Sequence, residues 1–215
     1  MARYTGPVCK LCRREGMKLF LKGSRCESPK CAVTRRDGPP GAGAGGKGGR
    51  RGRSRSSEYA KRFRETMKAK RFYGVLEAQF RRYVGIAARS KGNTGETLLR
   101  LMETRLDNAV LRLGFGVSRA QSRQLIRHGH VLVNGKRVNI PSFAVSAGDV
   151  IAPVGSESAK RLVAWGLEES RGKTVPAWLD RADGEQPKGT VVRMPARDEI
   201  SAEVNEQLVV EFCSR

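Results

Sequence analysis

The sequence predicts an α+β protein. A mainly helical domain carries a zinc-stapled N-terminal segment, and a smaller domain packs helices on a short β-sheet. Three observations lead there. Between residues 58 and 113 apolar residues recur at i, i+3 and i+4, the period of amphipathic helices. Residues 118–138 read as a basic helix followed directly by a β-hairpin. Four cysteines fall within a head too poor in apolar residues to fold unaided. The boundaries expected are a head at 1–35, a Gly/Arg-rich strap at 36–57, a helical domain at 58–104 completed by 180–215, and a helix–hairpin domain at 105–179.

Charge sets the class of partner. The 215 residues hold 42 Lys+Arg against 21 Asp+Glu, a net +21. Residues 1–91 carry 25 basic and 6 acidic residues, whereas 92–215 carry 17 and 15. So uneven a distribution points to a large polyanion, nucleic acid above all, and against a merely soluble cationic enzyme. No apolar run approaches the roughly 20 residues of a membrane span. The opening Met-Ala-Arg-Tyr-Thr-Gly-Pro lacks the apolar core of a secretory signal. A reducing cytosolic setting is therefore expected, where five cysteines do not suggest a disulfide framework.

In the head, Cys9-x2-Cys12 and Cys26-x4-Cys31 form two close pairs separated by thirteen residues. Thiolates so spaced can converge on one tetrahedral zinc as a structural site with no open position. Nearby Lys10, Arg13, Arg14, Arg25 and Lys30 favour the thiolate form. An iron–sulfur cluster or four unligated thiols are the alternatives. The strap contains a literal Gly-x-Gly-x-x-Gly at Gly41, Gly43 and Gly46. No hydrophobic strand precedes it and no helix pattern follows, so it is not a dinucleotide site. Lys47, Arg50, Arg51, Arg53 and Arg55 suit a basic strap that orders on RNA better than a plain linker.

From Ser57, a plausible N-cap, Tyr59, Phe63 and Met67 make one apolar stripe. Gly74 breaks the run, and Val75, Leu76, Phe80, Tyr83, Val84 and Ala87 make a second. These aromatics are expected in the core. After Lys91-Gly92-Asn93-Thr94-Gly95, residues Leu98 to Leu113 read as one strongly amphipathic helix ending at Gly114-Phe115-Gly116. In the next unit Ser118 caps, with Gln121 completing a capping box. Arg119, Arg123 and Arg127 share a face, and Ala120, Leu125 and Ile126 turn to a core. Gly129 ends the helix, and Asn134-Gly135 turns the hairpin between Val131-Leu132-Val133 and Lys136-Arg137-Val138. No acid occurs between Ser118 and Val138. Beyond it come short strands near Ala144-Val145 and Val150-Ile151, a helix at 160–170, packing tryptophans at 165 and 178, and a loop at 183–187. The tail, with Leu208-Val209-Val210, is expected to pack on the front helices.

Catalysis finds little support. His128 and His130 are the only histidines, not spaced for metal with the cysteines, and fit packing or phosphate contact. No phosphate-cradling Gly-x-x-x-x-Gly-Lys-Ser/Thr loop occurs, and Cys213 is a lone thiol. The expectation is a binder, not an enzyme, with no small-molecule substrate.

Several blocks carry a family resemblance. They are Met-Ala-Arg-Tyr-Thr-Gly-Pro, the four cysteines, Arg-Arg-Glu-Gly at 13–16, Tyr-Gly-Val-Leu-Glu-Ala-Gln-Phe-Arg-Arg-Tyr at 73–83, Lys-Gly-Asn-Thr-Gly-Glu at 91–96 and Arg-Leu-Asp-Asn-Ala-Val at 105–110. With the 118–138 unit, they make the chain resemble bacterial small-subunit ribosomal protein number four, in its four-cysteine, zinc-binding branch. The resemblance implies a component of the cytoplasmic ribosome's small subunit. It would bind 16S rRNA at a helix junction of the 5′ domain early in assembly. It further implies contact with small-subunit ribosomal protein number five and other subunit proteins, a part in decoding accuracy, and basic residues near the mRNA entry channel, here the strap. Cys9, Cys12, Cys26 and Cys31 would hold zinc. An accessory module of an RNA-modifying enzyme and a free RNA chaperone are the alternatives. The chain departs from the family where Pro-Pro-Gly-Ala-Gly-Ala replaces a Pro-Gly-Gln-His-Gly-like segment, and where Cys213 replaces a tyrosine.

The RNA contacts expected fall in four groups. The head supplies Arg3, Arg13, Arg14, Lys22, Arg35 and Arg36, and the strap its five cations. The helices supply Lys61, Arg62, Lys68, Lys70, Arg71, Arg81 and Arg82. The helix–hairpin unit supplies Ser118, Arg119, Gln121, Arg123, Arg127, His128, Asn134, Lys136 and Arg137. On this reading Arg123→Glu weakens RNA binding directly.

Overall fold

The computed structural model describes residues 3–36, 38–41, 57–184 and 186–214. The strap cations Lys47, Arg50, Arg51, Arg53 and Arg55, expected at RNA, lie outside the described residues. Two units emerge. The first takes the chain up to Leu21, then Arg25–Gly95 and the segment from Ala202 onward. The second takes Lys22–Ser24 and Glu96–Ser201.

The first unit is helical: α1 (Cys9–Glu15), α2 (Ala32–Arg35), α3 (Glu58–Tyr73), α4 (Glu77–Arg89) and, from the C-terminal segment, α9 (Glu206–Cys213). Ser57 caps α3 by accepting from the Ala60 N–H at 3.2 Å, and Gly74 ends it in the left-handed region at φ 63°. Asn205 caps α9, its Oδ1 accepting from the N–H groups of Gln207 and Leu208. The tail packs on α3. Arg62 pairs with Glu211 at 2.7 Å, Glu65 accepts from the Asn205 N–H, and Lys68 donates to the Glu203 carbonyl. The tail thus brings the Glu211 carboxylate to a helix that has few acids.

The core of this unit differs from the expectation in one place. Phe72, Tyr73, Phe80 and Tyr83 are buried, but Tyr59 and Phe63 are exposed. Their rings stack at 6.3 Å and lean on Phe212. Phe212 is the one ring they pack on among the described residues, so solvent reaches their outer faces. α3 buries Thr66, Ala69, Phe72 and Tyr73 instead.

The second unit packs α5 (Thr94–Glu103), α6 (Leu106–Arg112), α7 (Arg119–Arg127) and α8 (Glu157–Glu169) with a five-stranded antiparallel sheet. Its strands are β1 (Val131–Val133), β2 (Lys136–Arg137), β3 (Val150–Pro153), β4 (Leu179–Ala182) and β5 (Lys188–Val191), in the order β2-β1-β3-β5-β4. The core includes Leu113, Phe115, Ile126, Ile151, Trp178 and Val191. Two glycines allow backbones to close on it. A Cβ on Gly189 of β5 would meet Leu113 Cδ1 at 2.3 Å, and one on Gly166 of α8 would meet the Phe115 carbonyl at 2.5 Å.

Three expectations are corrected here. The single helix from Leu98 to Leu113 is two, because Arg105 is extended (φ −69°, ψ 139°) and bridges Ala144. The N–H groups of Leu106 and Asp107 then donate to the carbonyls of Phe143 and Pro141. Ala144-Val145 is consequently not a strand of the sheet. The domain boundary expected at 179/180 lies at 201/202, since β4 and β5 pair with each other and β5 with β3. Only the segment from Ala202 completes the helical unit, and the compact units divide at 95/96, at the start of α5, where the sequence places the boundary just after it at 104/105.

Candidate nucleic-acid interface

The helix–hairpin unit forms as its sequence demands. Ser118 Oγ accepts from the Gln121 N–H at 3.4 Å, while Gln121 Oε1 accepts from the Val117 N–H at 2.7 Å, one residue earlier than in a capping box. Gly129 follows α7 at φ 72°, and Asn134 and Gly135 turn at φ 50° and 75°. The Asn134 side chain ties the turn to β3, donating to Asp149 Oδ1 and accepting from the Val150 N–H. Ser118, Gln121 and Asn134, expected at RNA, are thus engaged in building the unit.

The structure divides the three arginines of α7. Arg127 is exposed, as are His128, Lys136 and Arg137. Arg119 is half-buried and donates from Nε to Asn108 Oδ1 at 3.2 Å. Arg123 is 7% exposed, its guanidinium 3.4 Å from Asp107 Oδ2. Asp107 also receives a two-pronged bond from Arg105, Nε to Oδ1 at 3.0 Å and Nη2 to Oδ2 at 2.7 Å. Arg123 therefore sits in a buried ion cluster joining α7 to α6, and the expectation that it touches RNA is corrected. The i, i+4, i+8 pattern is right, but the stripe curves into the core, and a desolvated guanidinium keeps its charge only beside a carboxylate. Ala120, expected inside, is exposed instead.

In the first unit Arg3, Arg14, Arg35, Arg36, Lys61, Arg81 and Arg82 are exposed, as is Lys22 in the second, while Arg13 is half-buried. Arg13 and Arg14 reach back to the carbonyls of Gly38, Pro39 and Pro40. Several expected contacts are spent internally. Arg71 and Arg64 hold the buried Glu15 carboxylate. Lys70 is buried, 2.5 Å from Glu77 and over the Phe80 ring. Lys68 pairs with Glu65 and Arg62 with Glu211. Glu77 is held below its ordinary carboxylate range by hydrogen bonds from Lys70 and Arg81. Burial and the Arg14 charge lower Arg64 and Arg71.

Cys12, Cys26 and Cys31 are buried and Cys9 is half-buried. Burial pushes the Cys12 thiol up, opposed by the Leu19 backbone and reinforced by Cys26, Cys9 and Cys31. The other three cysteines therefore lie within its electrostatic reach. Burial pulls Cys31 up as well, but bonds from Val33 and Thr34 and the Lys18 charge outweigh it and lower the thiol. Among the described residues no three His, Cys, Asp or Glu side chains are disposed to hold a metal ion. Four cysteine thiols are a donor set that suits zinc, but in this structure they are not arranged to coordinate one. Cys213 is half-buried, and its burial raises it.

The exposed guanidinium and ammonium groups can neutralise phosphates and the imidazole can hydrogen-bond to RNA, and no acid lies between Ser118 and Val138 to oppose them. Trp165, read as a packing residue, is 50% exposed. The signal was present in the sequence. It sits two positions after buried Val163, about 200° around a helix of 3.6 residues per turn. Among the described residues no helix is long and apolar enough to cross a membrane.

Comparison with known proteins completes the description. Residues 3–103 match the family model described as ribosomal protein S4/S9 N-terminal domain, and residues 104–151 match the S4 domain. The chain is 53% identical to small ribosomal subunit protein uS4A of Symbiobacterium thermophilum over 216 residues. It is 53% identical to uS4 of Pelotomaculum thermopropionicum and 51% identical to uS4 of Thermus thermophilus, each over 215 residues. Each alignment covers 100% of both chains.

Proposed function

The chain belongs to the uS4 family of small ribosomal subunit proteins, and from that premise we propose that its work is structural and non-catalytic: it binds 16S rRNA and is built into the small subunit of the cytoplasmic ribosome. The observation that carries this reading is the exposed set Arg127, His128, Lys136 and Arg137, on a unit with no acidic residue between Ser118 and Val138. An enzyme's accessory module gives way here, because relatives matched over their full length are ribosomal proteins, a non-enzymatic family.

The finer reading is that the chain docks at a helix junction in the 5′ domain of 16S rRNA and does so early in assembly. It meets small-subunit ribosomal protein number five and other subunit proteins, and contributes to decoding accuracy. The strap from Lys47 to Arg55 lies near entering mRNA. A-form RNA offers shape and phosphates more than readable base edges, so recognition rests largely on a folded junction. Cys9, Cys12, Cys26 and Cys31 hold one structural zinc, a reading supported by two closely spaced cysteine pairs in a head with few apolar residues. Zinc there would supply only cross-linking.

Sucrose-gradient sedimentation tests the central claim. Stable co-migration with the small subunit at moderate salt is expected, and a chain that stays at the top of the gradient behaves as a free RNA chaperone. Elemental analysis tests the metal: one zinc per chain, lost in Cys12→Ser. A metal-free chain, or iron with sulfide, overturns it.

A further inference from the structure

In the second unit, α7 and α8 enclose a cleft of about 210 Å³ that phosphate neutralisation leaves unused. The half-exposed Trp165 lines it, together with His128 and His130, whose rings stand 6.1 Å apart. Buried Leu125 and half-buried Leu162 supply apolar wall. Gln121 and Gln124 add amides. Gln121 Oε1 is taken by the Val117 N–H, so its NH₂ is what it offers. Gln124, exposed on α7, presents both an acceptor and a donor.

Tryptophan is highly buried on average, so one left half open beside other rings marks a contact surface. The wall chemistry narrows the occupant. An indole face and imidazoles stack planar rings, and amides match the mixed donors and acceptors of a base edge. The cleft has no acidic lining. Arg127 is next to His128 in the chain, and Arg161 lies one turn before Trp165 on α8; both are exposed. They are placed to take the phosphates flanking a base that enters. Glu168, exposed one turn after Trp165, marks the side from which the backbone is turned away. A cleft of this size admits one ring system and no duplex.

We propose that this cleft receives a single unpaired base of the bound RNA, stacked on Trp165 and edged by Gln121 and Gln124. The inference rests on the RNA-binding reading and adds one base-level contact to recognition otherwise made by shape and charge.

Fluorescence of the full chain tests it, because the other tryptophan, Trp178, is fully buried. Acrylamide should quench Trp165 in the free protein and lose access when transcribed 16S rRNA is added. Trp165→Ala should weaken RNA binding about ten-fold, the scale of one stacked base. The slope of log affinity against log salt should stay unchanged, since no phosphate contact is removed. Trp165→Phe should restore most of the affinity, and Trp178 emission in both variants confirms the fold. Unaltered affinity in Trp165→Ala, or undiminished acrylamide access in the complex, overturns the proposal while leaving RNA binding intact. Protection that appears only when other subunit proteins are added overturns it too. A wild-type chain that fails to bind the transcript overturns both this inference and the reading beneath it.

Discussion

Asp107→Asn should unfold much of the second unit's stability. The substitution preserves shape and removes one charge from a cluster in which Arg105, Asp107 and Arg123 side chains are 2%, 7% and 9% exposed. Arg105 loses its fork onto both carboxylate oxygens and Arg123 loses its nearest acid, leaving guanidiniums buried beside a neutral amide. Removing one partner from a buried pair costs about 3–5 kcal/mol. A domain holds about 5–15 kcal/mol in all, so the midpoint temperature should fall on the order of 10 °C or more. Urea unfolding followed by Trp178 fluorescence, in a Trp165→Phe background, reads this unit alone. Asp180→Asn, at an exposed site on β4, should stay within about 0.5 kcal/mol. A loss under about 1 kcal/mol for Asp107→Asn would show that the carboxylate is not what holds the arginines in place. The same cluster fixes the meaning of Arg123→Glu: it should lose RNA only in proportion to the folded protein lost.

Arg127→Glu should do the reverse, leaving urea stability unchanged while weakening 16S rRNA binding and flattening its salt dependence by about 0.7–0.9 log units per log unit of salt, one phosphate contact's share. Deleting residues 202–215 should lower the melting temperature of the first unit, because Val209 and the Arg62–Glu211 and Glu65–Asn205 contacts leave α3 together; an unchanged melt would separate the tail from the fold. Glu77→Gln should cost on the order of 1 kcal/mol, since Glu77 itself and Arg81 are open to solvent and only Lys70 is buried. The folded carboxyl is held below its ordinary value of 4.5, so its contribution is present above that pH and fades as pH falls through the folded value. Wild-type and variant stabilities should therefore converge in acid, and a gap that widens there would contradict the sign.

Much of this architecture was legible locally. Ser57, Gly74, Ser118, Gly129 and Asn134-Gly135 each act where their chemistry places them, because caps and tight turns depend on a few neighbouring dihedrals. Leu98, Leu99, Met102, Leu106, Ala109, Val110 and Leu113 are all buried, although the helix they ride on is broken. The break was not legible, because nothing near Arg105 in sequence announces the carbonyls of Pro141 and Phe143 that take up the freed N–H groups. β4 and β5 were missed for a related reason. Leu-Asp-Arg-Ala and Lys-Gly-Thr-Val carry little strand signal, and their pairing, with Gly189 closing on Leu113, makes them strands.

The candidate site divides along the same line. By itself the sequence determined a cationic, acid-free helix and hairpin, a polyanion as partner and a thiol-rich head, because composition and short-range spacing settle total charge and local shape. Which cations remain for RNA was decided only by tertiary structure. Arg123, Lys70 and Arg71 are spent on Asp107, Glu77 and Glu15, far away in sequence or on other elements. Arg127, Lys136 and Arg137 keep their water and their reach. Periodicity names the face of a helix, but desolvation decides which charges on that face the fold keeps for itself.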